Sequence, residues 1–243
     1  MRVLGLFAKE PRAGQVKTRL AEQIGVDLAT EFYAASLRDL TDRFGLTGDR
    51  RILGYSPDSA EARQTFASIS AGRYTLWPQP TTSLGDRIEA FFEMAMLGCT
   101  SCWMHIVLIG TDSPNLPSEF VATAFRMLED RDVVLGPATD GGYYLIGMRV
   151  HAPGWLHKVR WSTSTTLADT VAAVEQQGWS LGLLSPWYDI DVPGDLVTLA
   201  GHLAAERVAH PQAVVTRMEE WCLRYAQRDS ARVPTRERDA QEH

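Results

Sequence analysis

Apolar positions along this chain switch repeatedly between short continuous runs and helical spacing. The run Val3-Leu4-Gly5-Leu6-Phe7-Ala8 has the length and bounds of a buried strand. Leu28, Phe32, Leu37, Leu40 and Phe44 then recur near helical spacing. Arg51 to Tyr55 and Tyr74 to Trp77 read as a second and a third strand. Leu84, Ile88, Phe91, Phe92 and Ala95 form another helical stripe, with Ser83 and Asp86 placed to cap its start. A strand over His105 to Ile109, a helix over Ser118 to Glu129 and a strand over Asp132 to Leu135 follow. Tyr143 to Met148 is a further strand, Thr165 to Gln177 a helix, and Ser180 to Leu184 the last core strand. Asp195 to Ala205 opens the closing helices. Such alternation predicts a largely parallel sheet covered by helices on both faces. No repeat or long linker divides the chain, so one domain is expected over residues 1–225. The polar stretch 226–243 loses apolar spacing by Arg228 and reads as a disordered tail.

Composition narrows the function classes. The chain has 243 residues, 45% hydrophobic and 22% charged, with a formal net charge of -6. That acidic balance argues against general binding to nucleic acid or to anionic membranes. No run approaches the roughly 18 apolar residues of a membrane span. The first strand lacks the basic start and small-residue cleavage site of a signal peptide, so a cytoplasmic protein is expected. Cys99, Cys102 and Cys222 suit a reducing compartment. Cys99 and Cys102 form a CxxC that precedes a strand, whereas redox CxxC motifs follow one. A zinc site would need a second ligand pair, and only His105 is near, so the thiols read as structural or incidental. His105, His151 and His157 show no ligand spacing.

Against this acidic background the loop after the first strand stands out. Lys9, Arg12, Lys17 and Arg19 fall within eleven residues, around Pro11 and Gly14. A concentrated positive charge at a strand's end points to an anion, foremost nucleotide phosphates, or else to a solvated basic loop. A Walker A loop would need glycine where Val16 and Pro11 stand, and GxGxxG is absent. P-loop and Rossmann dinucleotide sites are thereby disfavoured.

Carboxylates mark three other strand ends. Gly110-Thr111-Asp112-Ser113-Pro114 follows the most apolar strand. In open α/β sheets ligands gather at the carboxyl ends of strands. An aspartate there, opposite a basic loop, suits Mg²⁺ held against phosphate oxygens, although Asp112 could simply begin a turn. Asp140 is flanked by Gly141 and Gly142, which permit close backbone approach. Asp189 and Asp191 stand at i and i+2 on one side of an extended segment. Asp191 could instead cap the helix that Pro193 starts, and Asp189 could point to solvent. Tyr143 and Tyr144 alternate across a strand, which predicts one in the core and one in the cleft. Trp161 and Trp187 could line an acceptor pocket or pack internally.

Taken together, the motifs resemble one family. They are Phe7-Ala8-Lys9-x-Pro11-x-x-Gly14-x-Val16-Lys17-Thr18-Arg19-Leu20, Ser83-Leu84-Gly85-Asp86-Arg87, Gly110-Thr111-Asp112-Ser113-Pro114, Gly136-Pro137-x-x-Asp140-Gly141-Gly142-Tyr143-Tyr144, Trp161-Ser162-Thr163 and Asp189-Ile190-Asp191-x-Pro193-x-Asp195-Leu196. The chain from about Met1 to Ala205 resembles the DUF2064 proteins, the arsenosugar- or selenodomain-associated transferases of the glycosyltransferase-A-like superfamily. More distantly it is similar to molybdopterin and phospholactate nucleotidyltransferases. The resemblance implies an α/β protein, a three-layer α/β/α sandwich with a mixed, mainly parallel sheet. It implies a nucleotide or nucleotide-sugar ligand, a small-molecule acceptor and Mg²⁺ or Mn²⁺.

The resemblance also implies site residues. Ala8, Lys9, Gly14, Lys17, Arg19, Gly85, Arg87 and Thr111 would bind nucleotide. Asp112, Asp189 and Asp191 would hold the metal, and Asp112, Lys17 and Asp140 would carry catalysis. Gly141, Gly142, Tyr143 and Trp161 would line the acceptor pocket. Two chemistries follow. In nucleotidyl transfer, an acceptor attacks the α-phosphorus of a triphosphate held by Lys9, Lys17 and Arg19. In glycosyl transfer, a nucleoside diphosphate departs and Asp140 or Asp189 deprotonates the acceptor hydroxyl. The basic loop favours the first and the family's naming the second. A single carboxylate in Gly110-Thr111-Asp112-Ser113 departs from the Asp-x-Asp of many glycosyltransferases, so metal binding would draw on Asp189 or Asp191. A third reading is a nucleotide-binding module without turnover, against which the three carboxylate-bearing strand ends speak.

Overall fold

Each apolar run in the chain becomes a strand, and all of them join one sheet. The computed structural model describes residues 1–97, 104–214 and 216–232. Among these, the strands are β1 (Arg2–Lys9), β2 (Arg50–Ser56), β3 (Thr75–Pro78), β4 (His105–Ile109), β5 (Val133–Pro137), β6 (Tyr143–Met148) and β7 (Leu181–Leu183). Their order is β3-β2-β1-β4-β6-β5-β7. β1 is an interior strand, with Leu6 level with Leu53 of β2 and Ile109 of β4. It is covered on both faces, which explains its unbroken apolar run. β6 runs antiparallel to β4 and β5, and every other pairing is parallel. The connection over residues 138–142 is too short for a crossover, so β5 and β6 pair as neighbours of opposite direction. The sheet is therefore mixed and mainly parallel, as the resemblance implies.

The helices are α1 (Thr18–Ile24), α2 (Val26–Arg43), α3 (Ala60–Ser70), α4 (Leu84–Met96), α5 (Ser118–Met127), α6 (Thr166–Gln176), α7 (Pro193–Ala209) and α8 (Arg217–Arg232). On one face of the sheet, Leu37, Leu40 and Phe44 with α3 Phe66 and α5 Phe125 cover Leu4, Leu6, Leu53 and Val107. On the other, α4 Ile88, Phe91 and Phe92 with Trp155 and α6 Val174 cover Val3, Ile52, Ile106 and Ile146. Gly5 makes that second layer possible, since a Cβ there would lie 2.1 Å from the Phe91 ring. A third cluster joins α7 and α8 to the outer side of α1 and α2, centred on Phe32 edge-to-face with Trp221 at 5.1 Å.

Three features differ from the sequence expectation. α2 matches the expected stripe from Leu28 to Phe44, but a further helix, α1, precedes it and is divided from it at Gly25, whose φ of 98° suits glycine. α3 carries too few large apolar residues to advertise itself, although Ala62, Phe66 and Ile69 are buried. α8 continues to Arg232, past the start of the expected tail. Its anchors Met218, Trp221 and Tyr225 all fall within its first nine residues, and hydrogen bonding propagates the helix beyond them. Cys99 and Cys102 lie outside the described residues. Among the described residues no helix is long and apolar enough to cross a membrane.

Candidate functional site

The carboxyl ends of β1 and β4 are fastened to each other before any polar group is offered to a ligand. A directed chain of hydrogen bonds does this. The Lys9 amide donates to the Tyr33 hydroxyl at 3.0 Å, which pairs with Thr111 Oγ1 at 3.1 Å, and Thr111 donates to the Phe7 carbonyl at 3.2 Å. Burial pushes the Tyr33 hydroxyl up to about 12, so it stays protonated and available as a donor. Thr111, a sequence candidate for nucleotide binding, is buried and committed to this chain. Ala8 is buried too, and its carbonyl receives the Gln79 amide at 3.5 Å.

The carboxylates gather in the next layer. The Ile190 amide donates to the Asp112 carbonyl at 3.0 Å, tying the loop after β4 to the segment before α7. Ser113 Oγ donates to Asp189 Oδ1 at 2.6 Å. Burial raises the Asp189 carboxyl to about 6, with the charges of Asp112 and Asp140 adding to the rise and Ser113 and Lys17 opposing it. The cap of α7 is not Asp191. Asp195 accepts the Asp191 and Val192 amides at 2.8 and 2.9 Å, which leaves the Asp191 carboxylate for other partners.

That partner is Lys17. Its ammonium pairs with Asp112 and lies 3.4 Å from Asp191 Oδ1, and its side chain is only 3% exposed. Burial alone would lower its pKa, but Asp112, Asp191 and Asp189 outweigh burial and the net direction is upward. Lys17 precedes α1 with a left-handed backbone, φ 47° and ψ 46°. Arg19, 74% exposed, stands 3.5 Å from Asp191 Oδ2.

A cleft of about 460 Å³ opens at the ends of β1, β2 and β3, lined by Lys9, Glu10, Gln15, Asp58, Gln79 and Arg87 among others. Arg12, one of the four loop cations, is already paired with Glu10 at 2.5 Å. Lys9 and Arg87, the two cations lining the cleft, have no carboxylate partner among the described residues. Arg87 is held by the Gln79 side-chain oxygen at 3.2 Å and the Ser83 carbonyl at 3.4 Å, while Gln79 donates to the Gly54 carbonyl at 2.7 Å. Ser83 caps α4 through the Asp86 amide at 3.2 Å, as its sequence spacing predicts. Gly14 turns the loop with φ 74°. Gly85 serves packing instead. A Cβ there would lie 2.7 Å from the Trp161 indole nitrogen, so this glycine seats Trp161 against α4.

The expected acceptor residues cluster around β6. Gly141 has φ 93°, and a Cβ on it would lie 2.3 Å from the Ser164 carbonyl. Asp140 accepts the Gly142 amide at 2.8 Å and is exposed. Tyr144 and Tyr143 occupy opposite faces, but both faces are packed. Tyr144 joins one core and donates to the Ser185 carbonyl at 2.9 Å, while Tyr143 packs with the other and meets Trp161 edge-to-face at 6.3 Å. The Tyr143 hydroxyl is buried, so neither tyrosine offers its hydroxyl to the cleft, against the sequence expectation. Trp187 is an internal packing residue, edge-to-face with Phe120 at 5.3 Å.

Tyr33, Gln79 and Ser113 escape sequence reasoning. Tyr33 sits inside an ordinary helical stripe, and Gln79 and Ser113 sit in irregular segments whose partners are distant in the chain. Among the described residues no three His, Cys, Asp or Glu side chains form a ready-made ion cage. Asp112 and Asp191 nevertheless converge on one cationic nitrogen, and their hard oxygens suit Mg²⁺ or Mn²⁺.

Similarity to known proteins follows these features. Residues 42–163, just over half of the chain, match the model of DUF2064, a family of uncharacterised proteins conserved in bacteria. The chain belongs to the DUF2064 family. A provisionally assigned nucleotide-diphospho-sugar transferase from Desulfovibrio desulfuricans G20 is 27% identical, with a TM-score of 0.83 over 93% of this chain and 95% of that one. The inositol-1-phosphate CTP transferase from T. maritima is 14% identical, with a TM-score of 0.53 over 80% and 91%. A CMP:2-keto-3-deoxy-manno-octonic acid synthetase complexed with CTP is 10% identical, with a TM-score of 0.51 over 84% and 99%. No curated protein matches the sequence. This DUF2064 member thus has the nucleotide-diphospho-sugar transferase fold.

Proposed function

We propose that this protein is a metal-dependent nucleotidyltransferase that joins the nucleoside monophosphate part of a triphosphate to a small phosphorylated or hydroxyl acceptor. The observation that carries the reading is the convergence of Lys17 with Asp112 and Asp191, together with a cleft whose two lining cations, Lys9 and Arg87, have no carboxylate partner among the described residues. Lys9 and Arg87 attract the polyphosphate, and the Gln79 and Ser83 oxygens keep the Arg87 guanidinium fixed. Asp112 and Asp191 are the groups to hold Mg²⁺ or Mn²⁺. The ion, when bound, neutralises charge on the reacting phosphates. The acceptor oxygen bonds to the α-phosphorus and pyrophosphate leaves, so no protein nucleophile is needed. A hydroxyl acceptor also loses a proton. Asp189, raised to about 6 and fixed by Ser113, is poised to take it near neutral pH.

Glycosyl transfer from a nucleotide sugar is the second reading, favoured by the provisional assignment of the Desulfovibrio desulfuricans relative. Product analysis separates the two. Incubation with Mg²⁺, each nucleoside triphosphate and a panel of sugar phosphates and polyols should release pyrophosphate, and Asp112→Asn should abolish that release. Release of nucleoside diphosphate from a nucleotide sugar would transfer the assignment to glycosyl transfer. Intact donors throughout would leave a binding module.

A further inference from the structure

Lys17 is placed oddly for a residue that grips phosphate. It is only 3% exposed, and its ammonium is spent on Asp112 and Asp191, the two carboxylates assigned to the divalent ion. Its backbone is left-handed, a conformation that side-chain-bearing residues seldom adopt. The fold thus accepts an unusual backbone at the position from which one lysine reaches both acids.

Resting on the metal-and-nucleotide reading above, we propose that Lys17 is an internal counter-cation. It occupies the Asp112–Asp191 pair in the ligand-free protein and competes there with a divalent ion, and a polyphosphate favours the ion by drawing the ammonium away. The physics is competition for the same oxygens. Asp112 and Asp191 each turn a carboxylate oxygen to the ammonium, and a second cation on those oxygens would face its positive charge at short range. A polyphosphate gives the ammonium a new anionic partner and vacates the acids. Nucleotide and metal then bind with positive coupling, which by linkage is reciprocal. Arg19 provides an internal comparison. It lies 3.5 Å from Asp191 but is 74% exposed, so it contributes field without filling the space between the acids.

The test is Mn²⁺ binding to the full chain without nucleotide, followed by the electron paramagnetic resonance signal of free Mn²⁺. If the acids are open in about a tenth of ligand-free molecules, Lys17→Met should bind Mn²⁺ about tenfold more tightly than wild type. Arg19→Met should gain no more than about threefold, in line with the small contribution of an exposed ion pair. Equal or weaker binding by Lys17→Met, or equal gains in both variants, would overturn the proposal. A wild-type measurement stands beside the variants: reaction of Lys17 with an amine-reactive label, read by mass spectrometry. Lys17 should be protected without metal and labelled at saturating Mn²⁺. Protection that persists while Mn²⁺ binds would refute displacement. Absence of Mn²⁺ binding by every protein, with a nucleoside triphosphate present as well, would instead remove the metal reading and this inference with it.

Discussion

Asp189→Asn should make the metal-free protein more stable at neutral pH. Asp189 is a largely buried carboxyl whose pKa rises from 3.8 to about 6 on folding, chiefly through burial. A raised carboxyl means that the folded state binds its proton more tightly than the unfolded state. Its contribution is fully present below the unfolded value and is lost as pH rises through about 6. Above that, the ionised group costs about 3 kcal/mol, since each pH unit of difference is worth about 1.4 kcal/mol. Asparagine keeps the shape and the acceptor oxygen for Ser113 but cannot ionise. Urea unfolding at pH 7.5 in EDTA should therefore show the variant about 2–3 kcal/mol more stable, with the gap shrinking toward pH 4. The comparison is differential, so titrating groups distant from Asp189 cancel to first order. A variant no more stable than wild type at pH 7.5, or a gap unchanged in acid, would refute the burial argument for Asp189.

Further consequences concern the scaffold beneath the site. Tyr33→Phe removes the acceptor of the Lys9 amide and should cost about 1–3 kcal/mol in urea unfolding, the range for an orphaned buried group; a loss under about 0.5 kcal/mol would show the relay to be dispensable. Gly141→Ala combines a positive φ with a collision against the Ser164 backbone, whereas Gly14→Ala at φ 74° meets no atom within 4 Å. The second should cost about 1–2 kcal/mol and the first distinctly more, and equal thermal losses would contradict that ranking. Asp195→Ala uncaps α7 and should cost about 0.5–2 kcal/mol, while also loosening Asp191; unchanged melting would mean that the two amides find other acceptors.

The strands were legible because each is a short apolar run closed by polar or turn residues. Their order was not, because it depends on where each crossover helix docks, and no local pattern encodes that. The reversed direction of β6 follows from a connection too short for a crossover, yet its place between β4 and β5 is a tertiary outcome. In the site, the basic loop and the strand-end carboxylates were readable from charge and position. Their pairing was not: Lys17 and Asp191 are 174 residues apart. The same distance effect hid the Tyr33–Thr111 bond and the Ser113–Asp189 bond. Gly85 illustrates a different limit. A glycine in a binding motif reads as backbone approach to a ligand, but here the approaching group is the Trp161 indole.

The central claim is that a nucleotide and a divalent ion bind together at the carboxyl edge of β1 and β4. Thermal unfolding of wild type and Asp112→Asn with nucleoside triphosphates and nucleotide sugars, each with and without Mg²⁺ or Mn²⁺, tests it most directly. A nucleotide at about 100 times its Kd should stabilise the wild type by about 2.7 kcal/mol. The account predicts a rise in Tm that needs both a triphosphate and the ion and that Asp112→Asn loses. No rise with any nucleotide under either ion, or a full rise in Asp112→Asn, would contradict it.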